Sequence, residues 1–121
     1  KVSKEYVPIA VQNGTIVIDN SSYFRMNKDV PLVVPEVNAK DIKKHKGIIA
    51  NPNCSTIQAV VALKPLNDEY KIKRIVYSTY QAVSGAGSKG VKDLENTLKG
   101  LKNQKFPYVI ANRLIYRGWI Y

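Results

Sequence analysis

A short apolar strand that leads directly into an apolar helix is the feature that most constrains this fold. Residues 48–50 are Ile-Ile-Ala, an Asn-Pro turn signal follows, and residues 57–63 form an apolar run compatible with a helix. Asn53 is a typical N-cap residue, so we expect a helix from about Cys54 that Pro65 limits. A buried strand followed by a helix is the repeating unit of α/β folds with a parallel sheet.

A second strand and a second strand-to-helix junction extend this pattern. Residues 15–18 are β-branched throughout and predict a fully buried strand, which ends in a polar loop at residues 19–22. Residues 73–80 alternate and predict a third strand, which runs into the glycine-rich loop 81–90. Apolar residues at helical spacing then predict a helix from about Val91. The predicted fold class is therefore α/β.

The net charge of +10 comes from 19 Lys and Arg residues against 9 Asp and Glu residues. A solvated basic surface explains this charge, and so does attraction to anions such as a phosphorylated substrate or a dinucleotide. No zinc-finger spacing, ribonucleoprotein motif or basic zipper points to nucleic acid, and no long apolar run points to a membrane. We expect neither as a partner. The lone cysteine fits a reducing cytoplasm, and one Cys with one His predicts no metal site.

Cys54 is the candidate nucleophile. A cysteine in the first turn of a helix lies beside free amide groups and the positive end of the helix dipole, which stabilise a thiolate. A thiolate there can attack an aldehyde or acyl carbon, and the amides can hold the oxyanion. The alternative is a buried structural cysteine. His45, the only histidine, lies in a lysine-rich stretch, so we expect a solvated side chain rather than a base for Cys54.

Two other stretches have residues suited to binding a substrate or cofactor. The loop from Ser84 to Gly90 connects a predicted strand to a predicted helix, an order that can hold phosphate on backbone amides; a flexible connection explains it equally well. Gln81, just before this loop, can orient a carbonyl or carboxylate. Arg25 follows the polar loop after residues 15–18, where its forked donors can grip a carboxylate or phosphate. A surface ion pair is the alternative for Arg25.

Four motifs in a fixed order resemble the aspartate-semialdehyde dehydrogenase family. They are residues 17–26 (VIDNSSYFRM), 30–38 (VPLVVPEVN), 49–56 (IANPNCST) and 78–87 (STYQAVSGAG). The resemblance implies the late part of a Rossmann-like NADP-binding domain at residues 1–53. It also implies the start of an α+β catalytic and dimerisation domain at residues 54–121. A full-length member of the family is expected to be a homodimer or homotetramer.

The resemblance also implies a reaction and its residues. Members of this family interconvert aspartyl phosphate and aspartate semialdehyde, using NADP and phosphate, through a thioester on a cysteine that matches Cys54. The substrate-binding residues of the family match Arg25, Asn53 and Gln81. The cofactor-contacting residues match Ser84 and Gly85.

The chain departs from the family pattern at both ends. The family's opening glycine-rich turn and its later histidine and arginine have no match here, and the residues after about 111, including Trp119, diverge. We therefore expect an incomplete chain that is inactive on its own. The alternatives are an enzyme like N-acetylglutamyl-phosphate reductase and a non-enzymatic basic module that binds anions.

Overall fold

The computed structural model describes residues 2–111 of the chain, so the divergent tail lies outside the described residues. The chain divides into two compact units, Lys1–Ile72 and Lys73–Tyr121. None of the helices within residues 2–111 is long and apolar enough to cross a lipid bilayer.

The first unit is built on a small parallel sheet. Strand β1 is parallel to strand β2, with Val17 opposite Ile48, and Leu32 adds a parallel bridge to Ala50 on the other edge of β2. This arrangement confirms the predicted α/β class. The elements of this unit, in chain order, are α1 (Val2–Gln12), β1 (Val17–Asp19), α2 (Pro35–Asn38), a 3-10 helix (Ala39–Lys44), β2 (Ile48–Ala50) and α3 (Cys54–Tyr70).

The core of the first unit joins α1 to the sheet. Burying an aliphatic or aromatic side chain contributes about 1.5–3 kcal/mol, so a few such residues are enough to fix the two strands against α1. With the strands fixed, the loops that follow β1 and β2 leave from the same edge of the sheet. The core cluster consists of Val7, Phe24, Val30 and Ala50, with Val11, Val17 and Ile48 packed against it.

The first strand is not fully buried, contrary to the prediction for residues 15–18. Side chains alternate between the two faces of a strand. Asp19 is buried, whereas Ile18 is 73% exposed and Ile16, just before the strand, is 58% exposed. A β-branched run therefore predicted the strand, but its burial depended on what covers each face, and α1 covers the face of Val17.

The prediction that Pro65 limits the third helix is also wrong. Helix α3 continues to Tyr70, and Lys71 then takes up a left-handed conformation (φ 53°) and donates its N–H to the Asn67 carbonyl. A proline removes its own N–H from a helix at a cost of roughly 3 kcal/mol, but it leaves the donors on either side. The turns that flank Pro65 can therefore continue the helix through it.

Among the residues of the second unit that the structure describes, a 3-10 turn and one helix lie where a third strand and a helix were predicted. Residues 71–82 carry no helix or strand, Val83–Ala86 form the 3-10 turn, and α4 spans Ser88–Leu98. The helix after the glycine-rich loop is thus confirmed, with an earlier start. The strand predicted at residues 73–80 is wrong because alternation alone does not supply the neighbouring strand that a sheet needs.

Helix α4 turns its polar side inward. Asp93 and Thr97 are buried with Gly90, whereas Val91 and Leu98 are 37% and 69% exposed. An apolar stripe at helical spacing usually faces the core. In α4 the Asp93 carboxylate instead accepts hydrogen bonds from the backbone of residues 104–106, and these bonds decide which side packs.

Candidate active site

Asn53 caps helix α3 and places Cys54 at its first position. The Asn53 backbone is extended (φ −61°, ψ 146°), and its Oδ1 accepts the Ser55 N–H at 3.0 Å. Its carbonyl accepts the Ile57 N–H at 2.9 Å, which closes the first helical turn. The predicted N-cap is therefore confirmed.

The Cys54 thiol is exposed at this helix start. Its Sγ lies 3.8 Å from Oδ1 of Asn53, to which it can donate a weak hydrogen bond, and it forms no disulfide. The alternative of a buried structural cysteine does not fit an exposed side chain. Since first-turn amide groups of a helix have no partners within the helix, they can stabilise a thiolate or an oxyanion that forms beside it.

Arg25 connects the loops that follow the two strands. Its Nε donates to the Asn51 carbonyl at 2.8 Å, and its Nη2 donates to the Asn20 carbonyl at 3.0 Å. These carbonyls belong to the residues directly after β1 and β2, at the carboxyl edge where parallel sheets bind ligands. The side chain is half-buried and bound to backbone, so it differs from the surface ion pair considered above. It anchors the chain three residues before the thiol.

Two further residues of this edge were not singled out from the sequence. The Oδ1 atom of Asn51 is buried without a hydrogen-bond partner among the described residues. Asp19 accepts hydrogen bonds from the Ser3 hydroxyl and from the Ser21 amide and hydroxyl. Burial raises the pKa of Asp19, but the bonds from Ser21 and Ser3 outweigh burial and hold the pKa below its ordinary value. The bond from Ser3 to Asp19 spans 16 residues, and the burial of Asn51 depends on tertiary packing, so no local sequence signal identified either residue.

His45 has a local structural contact. It is half-buried rather than solvated, and its Nδ1 accepts the Gly47 N–H at 3.0 Å. This bond shapes the turn that leads into β2. Within residues 2–111, no group of three His, Cys, Asp or Glu side chains is placed to hold a metal ion.

The second unit contains the other predicted site residues. Gln81, Ser84 and Gly85 are exposed. A Cβ atom added to Gly85 would lie 2.8 Å from Nε2 of Gln81, so the Gln81 amide lies directly against the Gly85 backbone. The Gly87 N–H donates to the Ser84 carbonyl at 2.9 Å and closes the turn.

The structure thus brings the predicted site residues together in two groups. Arg25, Asn53 and Cys54 belong to the first unit, at the carboxyl edge of the sheet. Gln81, with Ser84 and Gly85, belongs to the second unit. Each group has its own local geometry.

Comparison with known proteins identifies the family. A family model described as "Semialdehyde dehydrogenase, NAD binding domain" matches residues 1–45, and "Semialdehyde dehydrogenase, dimerisation domain" matches residues 63–115. Aspartate-semialdehyde dehydrogenase of Aquifex aeolicus is 61% identical over 90% of this chain, and that of Campylobacter jejuni is 54% identical over 94%. The chain covers 35% and 36% of those two proteins.

Solved structures agree with these relatives. The crystal structure of aspartate semialdehyde dehydrogenase II from Vibrio cholerae, complexed with ASA, superposes with a TM-score of 0.71 at 45% identity. That match covers 90% of this chain and 35% of the Vibrio cholerae chain. The chain therefore belongs to the aspartate-semialdehyde dehydrogenase family, as its four ordered motifs predicted, and it spans about a third of the length of the relatives it matches.

Proposed function

We propose that this chain supplies the nucleophilic segment of an aspartate-semialdehyde dehydrogenase, which interconverts aspartyl phosphate and aspartate semialdehyde with NADP. The observation that carries the proposal is the exposed Cys54 thiol at the Asn53-capped start of α3. Its support is the 61% identity to a relative that bears this name. By itself the chain is expected to be inactive.

The chemistry starts at Cys54. Its thiolate attacks the acyl carbon of aspartyl phosphate, a C–S bond forms, and the C–O bond to phosphate breaks as phosphate leaves. The first-turn amides of α3 hold the oxyanion of the tetrahedral species. NADPH, when bound, supplies the hydride that converts the thioester to the aldehyde and returns the thiolate. A thiol suits both steps because it is a strong nucleophile and its acyl product remains reactive.

Three residues are proposed to bind the substrate. Arg25 is proposed to bind the phosphate, and its place at the carboxyl edge of the sheet, where it bonds the Asn51 carbonyl, supports this role. Asn53 lies beside the thiol, where its amide can contact the acyl group. Gln81 is proposed as a third substrate-binding residue on the strength of the family resemblance.

The glycine-rich turn is proposed to contact NADP. Ser84 and Gly85 are proposed for this role because both are exposed and Gly85 allows close backbone approach, as the Gln81 amide beside it illustrates. The family description of residues 1–45 as NAD binding supports a nicotinamide cofactor, and the choice of NADP comes from the sequence resemblance.

The domain boundary is proposed at residues 53 and 54. Residues 1–53 would end the cofactor-binding domain, and residues 54–121 would begin the catalytic and dimerisation domain. The boundary falls between the two family matches.

A homodimer or homotetramer is proposed for the full-length enzyme, supported by the dimerisation-domain match. A cytoplasmic location is proposed because a nucleophilic thiol must stay reduced.

A hybrid enzyme tests this function. In it, residues 1–111 replace the matching segment of the Aquifex aeolicus relative, and phosphate-dependent reduction of NADP by aspartate semialdehyde is measured. We expect activity that falls by at least about a thousand-fold in Cys54→Ala, as is usual when a nucleophile is removed. Asp68→Asn, a change at an exposed site in the last turn of the same helix, should leave activity unchanged.

Two outcomes would contradict the proposal. One is a folded hybrid without activity, and the other is a Cys54→Ala hybrid that keeps appreciable activity. Offering the N-acetylated glutamate semialdehyde in parallel tests the substrate. A hybrid that prefers the acetylated compound would favour the N-acetylglutamyl-phosphate alternative.

A further inference from the structure

A buried carboxylate in α4 binds the backbone of a distant loop. The Asp93 side chain is 1% exposed, and its two oxygens accept the N–H groups of three consecutive residues. The distances are 2.7 Å to Gln104, 2.7 Å to Lys105 and 2.9 Å to Phe106. We call this arrangement the carboxylate clasp. Burial raises the pKa of Asp93, but the three amide donors outweigh burial and hold the pKa below its ordinary value, so the carboxylate stays charged.

The loop of residues 104–106, which Asp93 binds, packs against the Val83–Ala86 turn, where the proposed cofactor residues lie. Lys105 Nζ donates to the Ala86 carbonyl, the last residue of the Val83–Ala86 turn. A Cβ atom added to Gly90 would lie 3.4 Å from the Phe106 ring. The same atom would lie 2.7 Å from the Ala86 Cβ atom. The loop, the turn and the first turn of α4 are therefore packed together without room for a methyl group.

The Val83–Ala86 turn also contacts Gln81. The Gly85 N–H donates to the Ala82 carbonyl at 3.1 Å, and the Gln81 amide lies against Gly85. A chain of contacts thus runs from Asp93 through residues 104–106 to the turn, and from the turn to Gln81. Every link lies within the second unit.

We propose that Asp93 is a positioning residue, which holds residues 104–106 against the Val83–Ala86 turn and thereby fixes Gln81 for the reaction. The proposal rests on the proposed function, since Gln81 matters only if it contacts the substrate. A merely structural carboxylate would stabilise the unit without any dependence on Gln81. Catalysis is sensitive to small displacements, because a 1 Å misplacement can cost about a hundred-fold in rate.

A double-mutant cycle in the hybrid enzyme distinguishes these roles. We expect Asp93→Asn to lower kcat/KM for aspartate semialdehyde by about ten-fold, because an amide NH₂ would face the backbone donors and the loop would shift. In a Gln81→Ala background the same change should cost less than about two-fold, since the residue through which Asp93 acts is gone. Asp93→Glu keeps the carboxylate and should lose less activity than Asp93→Asn.

Two further variants complete the design. Thr97→Val is the matched control, because Thr97 is buried on the same side of α4 and its hydroxyl donates to the backbone carbonyls of Asp93 and Leu94 in its own helix. It should leave kcat/KM unchanged. Lys105→Met removes the exposed link to Ala86 and keeps all three backbone N–H donors to the Asp93 carboxylate. It should lower kcat/KM in the same direction, again only when Gln81 is present, and it decides the question if Asp93→Asn does not fold.

Amide hydrogen exchange provides a readout that does not need activity. Gly85 and Gly87 donate their N–H groups within the turn, so both should exchange at least about ten-fold faster in Asp93→Asn or Lys105→Met and not in Thr97→Val. Unchanged exchange would overturn the proposal, as would equal losses of kcat/KM with and without Gln81. If the unsubstituted hybrid is inactive but Gly85 and Gly87 still exchange faster in Asp93→Asn, the proposed function is contradicted. The result would then still support the inference that Asp93 holds the turn in place.

Discussion

At the residue scale, Asn53 sets the position and environment of Cys54. Its side chain is occupied by the Ser55 N–H, so the helix begins one residue later, at the thiol. This much was readable from sequence, because an N-cap residue before an apolar helical run is a local signal. The environment of Arg25 was not readable, since both carbonyls that it bonds come from loops brought together by the parallel sheet.

Capping and substrate binding by Asn53 can be separated with two substitutions. Asn53→Ala removes the cap and should destabilise the hybrid enzyme by about 1 kcal/mol. Asn53→Ser keeps a capping oxygen but removes the amide, so it should retain stability while losing kcat/KM. Thermal unfolding and steady-state kinetics measure the two effects. Full activity in Asn53→Ser would show that the amide does not bind substrate.

At the element scale, local signals predicted where elements begin better than how they pack. The strand at Ile48–Ala50 lies where the apolar run placed it. Residues 73–80, predicted as a strand, form no strand, and α3 extends beyond Pro65. Strand pairing and helix continuation depend on neighbours that are distant in sequence, so short patterns predicted them poorly. The inward face of α4 follows from Asp93 and its distant amide donors in the same way.

The turn into β2 gives a prediction at this scale. Gly47 has φ +99°, and a Cβ atom there would lie 2.5 Å from Cγ1 of Val11 in α1. Gly14 also has a positive φ (+79°), but no atom of residues 2–111 lies within 4 Å of its Cβ position. Both Gly→Ala changes bring backbone strain of about 1–3 kcal/mol, and only Gly47→Ala adds a steric clash in the core.

We therefore expect Gly47→Ala to lower the thermal midpoint of the hybrid enzyme more than Gly14→Ala does. Differential scanning calorimetry on the two variants and the unsubstituted hybrid provides the comparison. Equal midpoints for the two variants would mean that Val11 does not restrict this turn.

At the scale of the whole molecule, several large apolar side chains of the chain are exposed to solvent. Ile18, Val76 and Tyr80 are each more than 70% exposed, and Met26 is 91% exposed. Large apolar side chains left in water contribute nothing to folding and favour association with other apolar surfaces. The relatives are about three times as long, which is consistent with these side chains having further partners in such proteins.

The 121-residue chain by itself should therefore be poorly stable or prone to aggregation. We expect a broad, weakly cooperative thermal transition by circular dichroism, and self-association in analytical ultracentrifugation. The hybrid enzyme, measured under the same conditions, should unfold cooperatively. A sharp cooperative melt of the monomeric 121-residue chain would contradict this prediction.

The most direct test of the central claim is detection of the acyl group on Cys54. The hybrid enzyme is incubated with aspartate semialdehyde and NADP in the absence of phosphate, then digested and analysed by mass spectrometry. We predict one NADPH formed per subunit and an aspartyl group on the Cys54 peptide, both dependent on the thiol, with the group removed when phosphate is added. An unmodified Cys54 peptide after this first turnover, or an acyl group on another residue, would contradict the account.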